Sequence, residues 1–284
     1  MERLNRIHHS TVTLWSEDGY PIVGDFRCPD TEKKLPIIVI CHSFMAFKDW
    51  GFFPYIGERF AAAGFATFAF NFSFDGVQDS EDRISDFGKF EQNTFSREIK
   101  DCESVLAAIR EGELHNEIVD TGKVILLGHS RGGGIAIVTA SRHADVKALV
   151  SMSSIATFDR WTEHQKRNWR ERGFLSLAKE TIASPLRLGI GLLDDLEWNG
   201  EEIRITKAAS KITQPWLIVH GKMDVTVPHR EAEQLFAAAN NPAAEIVVLD
   251  KVGHLYHAST REEDNYATLN HILELVIAWL HKHF

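Results

Sequence analysis

The sequence predicts an α/β fold, a mostly parallel doubly wound sheet with an N-terminal antiparallel hairpin and a helical cap insertion. Three observations carry this. Short runs that are apolar throughout recur along the chain, as strands buried on both faces require. Segments of helical period lie between them. One interval of about sixty residues breaks the alternation, too long for a plain connection in a compact domain.

Residues 11–15 (TVTLW) and 20–28 (YPIVGDFRC) alternate about a Ser-Glu-Asp-Gly turn and read as the hairpin. Continuous apolar runs follow at 36–41, 65–70, 123–127, 147–151, 215–220 and 245–249. Phe95, Ile99, Cys102, Leu106 and Ile109 share one helical face, as do Ile272, Leu275, Val276, Trp279 and Leu280. From about 154 to 212 no buried-strand run occurs, and FDRWTEHQKRNWRERGF suggests helix. The chain is therefore expected to form one domain over 1–284, with a cap at about 154–212 between two strands.

Composition narrows the function. A net charge of −9 argues against nucleic acid as partner, since a phosphate-backbone binder needs clustered Lys and Arg. The three cysteines, Cys28, Cys41 and Cys102, are far apart and lack metal-ligand spacing, so reduced thiols are expected and no metal or cofactor is implied. The opening MERLNRIHHS lacks an apolar h-region, and no apolar run approaches the ~20 residues that span a bilayer. A cytoplasmic protein with no membrane partner is expected. Its sequence is compatible with a homo-oligomer.

The chemistry centres on ILLGHSRGGG, residues 125–134. A serine placed between a buried strand and a helix sits on a tight, strained turn. Gly128 and Gly132 relieve the crowding and let Ser130 stand above the sheet edge as a nucleophile. The competing reading, a glycine-rich phosphate loop, lacks both G-x-G-x-x-G and G-K-[ST]. A serine hydroxyl needs a base and an orienting acid. Asp224 in HGKMDVTVP and His254 in LDKVGHLYH each follow a buried strand, at the same sheet edge and in the order Ser, Asp, His. His257 is the alternative base. The backbone N–H groups of Arg131 and of Phe44, in CHSFMAFKD, are the expected oxyanion donors, with His42 bracing the latter loop. A Cys41–His42 thiol pair is disfavoured because adjacent strand residues face opposite ways.

CHSF, GHSRGG, GKMDVTVP and VGHLY, at these intervals, resemble the α/β-hydrolase superfamily over nearly the whole chain, and within it the dienelactone hydrolase, prolyl-oligopeptidase-like and cinnamoyl (feruloyl) esterase branch. The resemblance implies an α/β-hydrolase fold, a triad of Ser130, Asp224 and His254, and an oxyanion hole from Phe44 and Arg131. Ser43 stands where these relatives usually carry glycine. Serine at position 130 disfavours dienelactone hydrolysis, which uses cysteine, and dehalogenation, which uses aspartate.

The implied function is a serine hydrolase of carboxylesterase type. It would cleave small to medium acyl or aromatic-acid esters, a small-molecule substrate, through an acyl-enzyme. The alternatives are a peptidase or amidase, with Asp194, Asp195 and Glu197 holding a substrate amine, a thioesterase or acyltransferase, and a non-catalytic binding protein on the same fold. If 158–172 is helical, Phe158, Trp161, Gln165 and Trp169 form a stripe. It would pack the cap onto the body or, through Phe158, Trp161 and Trp169, wall the substrate pocket. Arg160, Lys166, Arg167, Arg170 and Arg172 make a basic run, read as a solvated face or as an attractor of anionic substrates.

Overall fold

A computed structural model describes residues 6–78, 83–177, 186–258 and 266–284. Eight strands form one sheet in the order β1 (Ile7–Trp15), β2 (Pro21–Pro29), β4 (Ala66–Phe70), β3 (Leu35–Cys41), β5 (Val119–His129), β6 (Val146–Met152), β9 (Trp216–Gly221) and β10 (Ala244–Leu249). β1 pairs antiparallel with β2, and β2 with β4; every other pairing in this sheet is parallel. The expected hairpin and parallel layer are both present.

The apolar runs behave as strands covered on both sides. Ile37, Val39 and Cys41 join one buried cluster, while Ile38 and Ile40 join the other. Helices α2 (Phe87–Glu91), α3 (Phe95–Glu111), α4 (Arg131–Ala140) and α8 (Arg230–Ala238) pack on the first face; α1 (Phe53–Ala62) and α9 (Ala267–Leu280) pack on the second. All five of the predicted α3 stripe residues are buried. Thr94 opens that helix by accepting the Arg97 N–H, and Gly112, at φ 79°, closes it. β10 departs from expectation. It is the edge strand, only half-buried, so an apolar run there does not mean cover on both faces.

The interval 154–212 also differs from an all-helical insertion. It holds α5 (Glu163–Arg172), α6 (Ile190–Asn199) and α7 (Ile205–Ala209), but also a two-stranded antiparallel sheet of β7 (Phe174–Leu177) and β8 (Leu186–Gly189). Residues 178–185 of this interval lie outside the described residues. Four-residue strands give too short a pattern to be read from alternation alone.

Strand order reverses at β3: the chain leaves to β4 on one side and returns to β5 on the other. In open α/β sheets such a reversal opens a crevice beyond the strand C-termini, where ligands bind. The loops after β3 and β5 flank it. Among the described residues, no helix is long and apolar enough to cross a membrane.

Candidate active site

Ser130 occupies the turn between β5 and α4 with φ 55° and ψ −118°. This conformation is uncommon for an L residue and persists only where the surroundings enforce it. The Ser130 N–H donates to the Met152 carbonyl at 2.9 Å, and its own carbonyl accepts from the Gly133 N–H at 3.0 Å. The flanking glycines are required by contact. A Cβ on Gly128 would come within 2.2 Å of the Gly132 oxygen, and one on Gly132 within 2.3 Å of the Cys41 and His42 oxygens.

His254, on the loop after β10, turns its Nε2 to 3.1 Å from Ser130 Oγ and its Nδ1 to 2.7 Å from Asp224 Oδ2. Asp224, just past β9, also accepts the Thr226 and Val227 N–H groups on Oδ1, at 2.9 and 2.8 Å. Burial works to raise the pKa of Asp224, but hydrogen bonds from His220, His254 and the Val227 amide outweigh it. The carboxyl is held well below the usual carboxylate range. His257 instead faces Thr268, at 3.2 Å.

Two histidines that sequence reasoning did not single out support this line. His129 Nε2 donates to the His254 carbonyl at 3.0 Å; burial is the main reason its pKa falls to about 3, so it stays neutral. His220 Nε2 donates to the Val227 carbonyl at 2.8 Å and lies 3.3 Å from Asp224 Oδ2. Both sit inside otherwise apolar runs at strand C-termini, a signal the sequence did contain.

Phe44 and Arg131 border the same cavity of about 300 Å³ as Ser130 and His254. Neither backbone N–H is paired among the described residues. Ser43 fits in place of glycine because the left-handed position falls on Met45, at φ 59°. His42 Nδ1 donates to the Ser43 carbonyl at 2.9 Å, and burial lowers its pKa to about 4. Cys41 Sγ faces Cys102 Sγ at 3.7 Å, away from any thiol–imidazole pairing. A larger cleft of about 1160 Å³, with Lys48, Asp75 and Lys89 on its walls, excludes Ser130, Asp224 and His254.

Phe158 and Trp161 also line the smaller cavity, though not from a helix. The capping box of Thr162 with Gln165 starts α5 after them, so the expected stripe over 158–172 does not form. Trp169 is fully buried behind Trp161, with ring centroids 5.2 Å apart, and does not reach the cavity wall. Much of the basic run is ion-paired: Arg160 with Glu231, Lys166 with Asp159 and Glu163, Arg170 with Asp194 and Glu197. Such pairing weakens its pull on anions. Asp195 is likewise engaged, accepting from Ser96 and Asn199, so the acidic trio is not free to hold an amine.

Behind the loop after β3 lie three buried acids, Asp75, Glu98 and Asp101, all with pKa values raised chiefly by burial. Asp101 is pushed up to about 7. A carboxyl whose folded pKa exceeds its unfolded one stabilises fully below pH ~4, and that contribution is lost as pH rises through about 7. Asp101→Asn, neutral at every pH, should therefore gain about 3 kcal/mol on wild type between pH 5 and pH 8. Urea unfolding at the two pH values measures this. An equal difference at both would mean that Asp101 stays ionised when buried.

Known proteins share this framework. A 31.7 kDa protein of Escherichia coli, from the traX–finO intergenic region, is 24% identical over 207 residues. That match covers 72% of this chain and 65% of the relative, so this chain spans just under two thirds of the relative's length. The esterase domain of a Rhodothermus marinus protein superimposes with a TM-score of 0.65 at 20% identity, over 97% of this chain and 99% of that one. Est1E of Butyrivibrio proteoclasticus, solved with ferulic acid bound, gives 0.69 at 20% identity, over 96% and 98%. At such identities the likeness speaks for the fold. The match to the Alpha/beta hydrolase family runs from Ile38 in β3 through residue 264, taking in the strained serine turn and the loops after β9 and β10, and the chain belongs to that family.

Proposed function

We propose that the protein is a serine esterase, cleaving carboxylic esters of small to medium acyl or aromatic acids through an acyl-enzyme. The observation that carries this reading is the hydrogen-bonded line from Ser130 Oγ through His254 to the buried Asp224 carboxylate, opening on an apolar cavity. His254 Nε2 takes the hydroxyl proton as Ser130 Oγ bonds to the ester carbonyl carbon. Asp224 keeps the other proton on Nδ1 and stabilises the imidazolium. The N–H groups of Phe44 and Arg131 receive the developing oxyanion. Collapse breaks the bond to the alkoxide, which leaves as an alcohol with the proton held by His254. Water, deprotonated by His254, then attacks the acyl carbon, and the acid departs as Ser130 recovers its proton.

Phe158 and Trp161, from the start of the interval between β6 and β9, supply walls for the acyl group. The esterase domain and the ferulic-acid complex among the structural neighbours support the ester reading. A panel of p-nitrophenyl esters, thioesters and aminoacyl anilides tests it, together with fluorophosphonate labelling. Short-chain and aryl esters should be the fastest substrates, and the label should map to Ser130. Anilides turned over faster than esters, or no label, would overturn the reading.

A further inference from the structure

The residue after the nucleophile carries a side chain that this scheme leaves unused. The guanidinium of Arg131 lies over two rings, its carbon 5.0 Å from the Phe44 centroid and 4.4 Å from that of Phe95. Phe95 in turn stacks on Phe158, with centroids 4.4 Å apart and planes 29° apart. A file of planar groups thus joins the loop after β3, the serine turn, α3 and the cavity wall. Arg131 Nε donates to Glu98 Oε2 at 2.9 Å, and Glu98 Oε1 accepts from Asn93 at 2.7 Å.

Both members of this ion pair are buried, and Arg131 Nη2 has no hydrogen-bond partner among the described residues. Such a pair is a poor device for stability alone, because desolvating both charges offsets their attraction. Phe44 is what it holds. Neither the amide nor the carbonyl of Phe44 is paired among the described residues, and the next residue, Met45, has φ 59°. The ring anchors this strained stretch, with Arg131 over it and Phe90 6.0 Å away.

We propose that the Arg131 side chain is a positioning residue of the oxyanion hole. Its backbone supplies one donor. Its guanidinium, oriented by Glu98 and lying over the Phe44 and Phe95 rings, sets the place of the other. The inference rests on the esterase reading of the same site.

Two variants test it. Arg131→Lys keeps the charge and loses the plane, while Arg131→Met loses both. In each, kcat on p-nitrophenyl butyrate should fall roughly 10- to 100-fold with KM within about 3-fold, since the hole acts on the transition state. Affinity for phenylboronic acid, which forms a tetrahedral adduct with the serine, should fall by a similar factor. A purely structural role would lower the melting temperature but leave boronate affinity and kcat per folded molecule unchanged, and that result overturns the proposal. Should Arg131→Met fail to fold, Phe44→Leu removes the ring, keeps the amide and should show the same loss of kcat. A wild type inert to esters and fluorophosphonate would sink the esterase reading; an active wild type with Arg131→Lys at full kcat sinks the positioning role alone.

Discussion

Ser130→Ala should fold like the wild type and lose at least ~10³-fold of kcat/KM on p-nitrophenyl esters. The substitution removes one oxygen and leaves the rest of the turn in place. Alanine has the same Cβ, so the contacts that glycine makes tolerable at positions 128 and 132 are unchanged. The backbone bond from residue 130 to the Met152 carbonyl also remains. What disappears is the atom 3.1 Å from His254 Nε2, and with it the covalent route. The amides of Phe44 and Arg131 remain to polarise a bound carbonyl, so slow residual hydrolysis is expected rather than none. Thermal melting and initial rates on one preparation decide the matter: undiminished turnover by a folded variant would place the nucleophile elsewhere.

Asp224→Asn should lower kcat by about 10⁴-fold, with little change in KM. The structure dictates which way the new amide turns. Two backbone N–H groups point at Oδ1, so the amide oxygen must take that place to accept them. The NH₂ then occupies the place of Oδ2 and faces His254 Nδ1. Two donors cannot share that contact. His254 would move its proton to Nε2 and accept on Nδ1, and in that tautomer it cannot take the proton of Ser130. His220, whose Nε2–H is shared between the Val227 carbonyl and the Oδ2 position, is itself a donor there and offers no relief. Steady-state kinetics check the loss, and the imidazole ¹⁵N shifts of His254 check its cause. A variant within 10-fold of wild type would show that the carboxylate does not fix the tautomer.

Much of this arrangement was legible in the sequence because it is local. The Gly128 contact is with Gly132, four residues on across the serine turn, although the Gly132 contact with the Cys41 and His42 oxygens joins the turn to the end of β3. The helical stripe of α3 follows from a period of 3.6 over a single segment. Asp224 and His254 could be named because each follows an apolar run that reads as a strand, and parallel strands deliver their C-termini to one edge of a sheet.

What the sequence by itself determined was therefore the element order, the serine turn and the edge at which the three side chains meet. Tertiary contacts alone turned His257 to Thr268, kept Trp169 off the cavity wall, and brought His129, His220 and the Arg131 file to the site. They also paired Arg160 with Glu231 and Arg170 with Asp194 and Glu197, acids from other segments. These outcomes rest on contacts between residues distant in the chain, which depend in part on how the strands register, as β5 does on β6, β6 on β9 and β9 on β10. A one-residue slip in that register would turn every side chain of a strand to the opposite face, and no local pattern within one segment specifies its neighbour's offset.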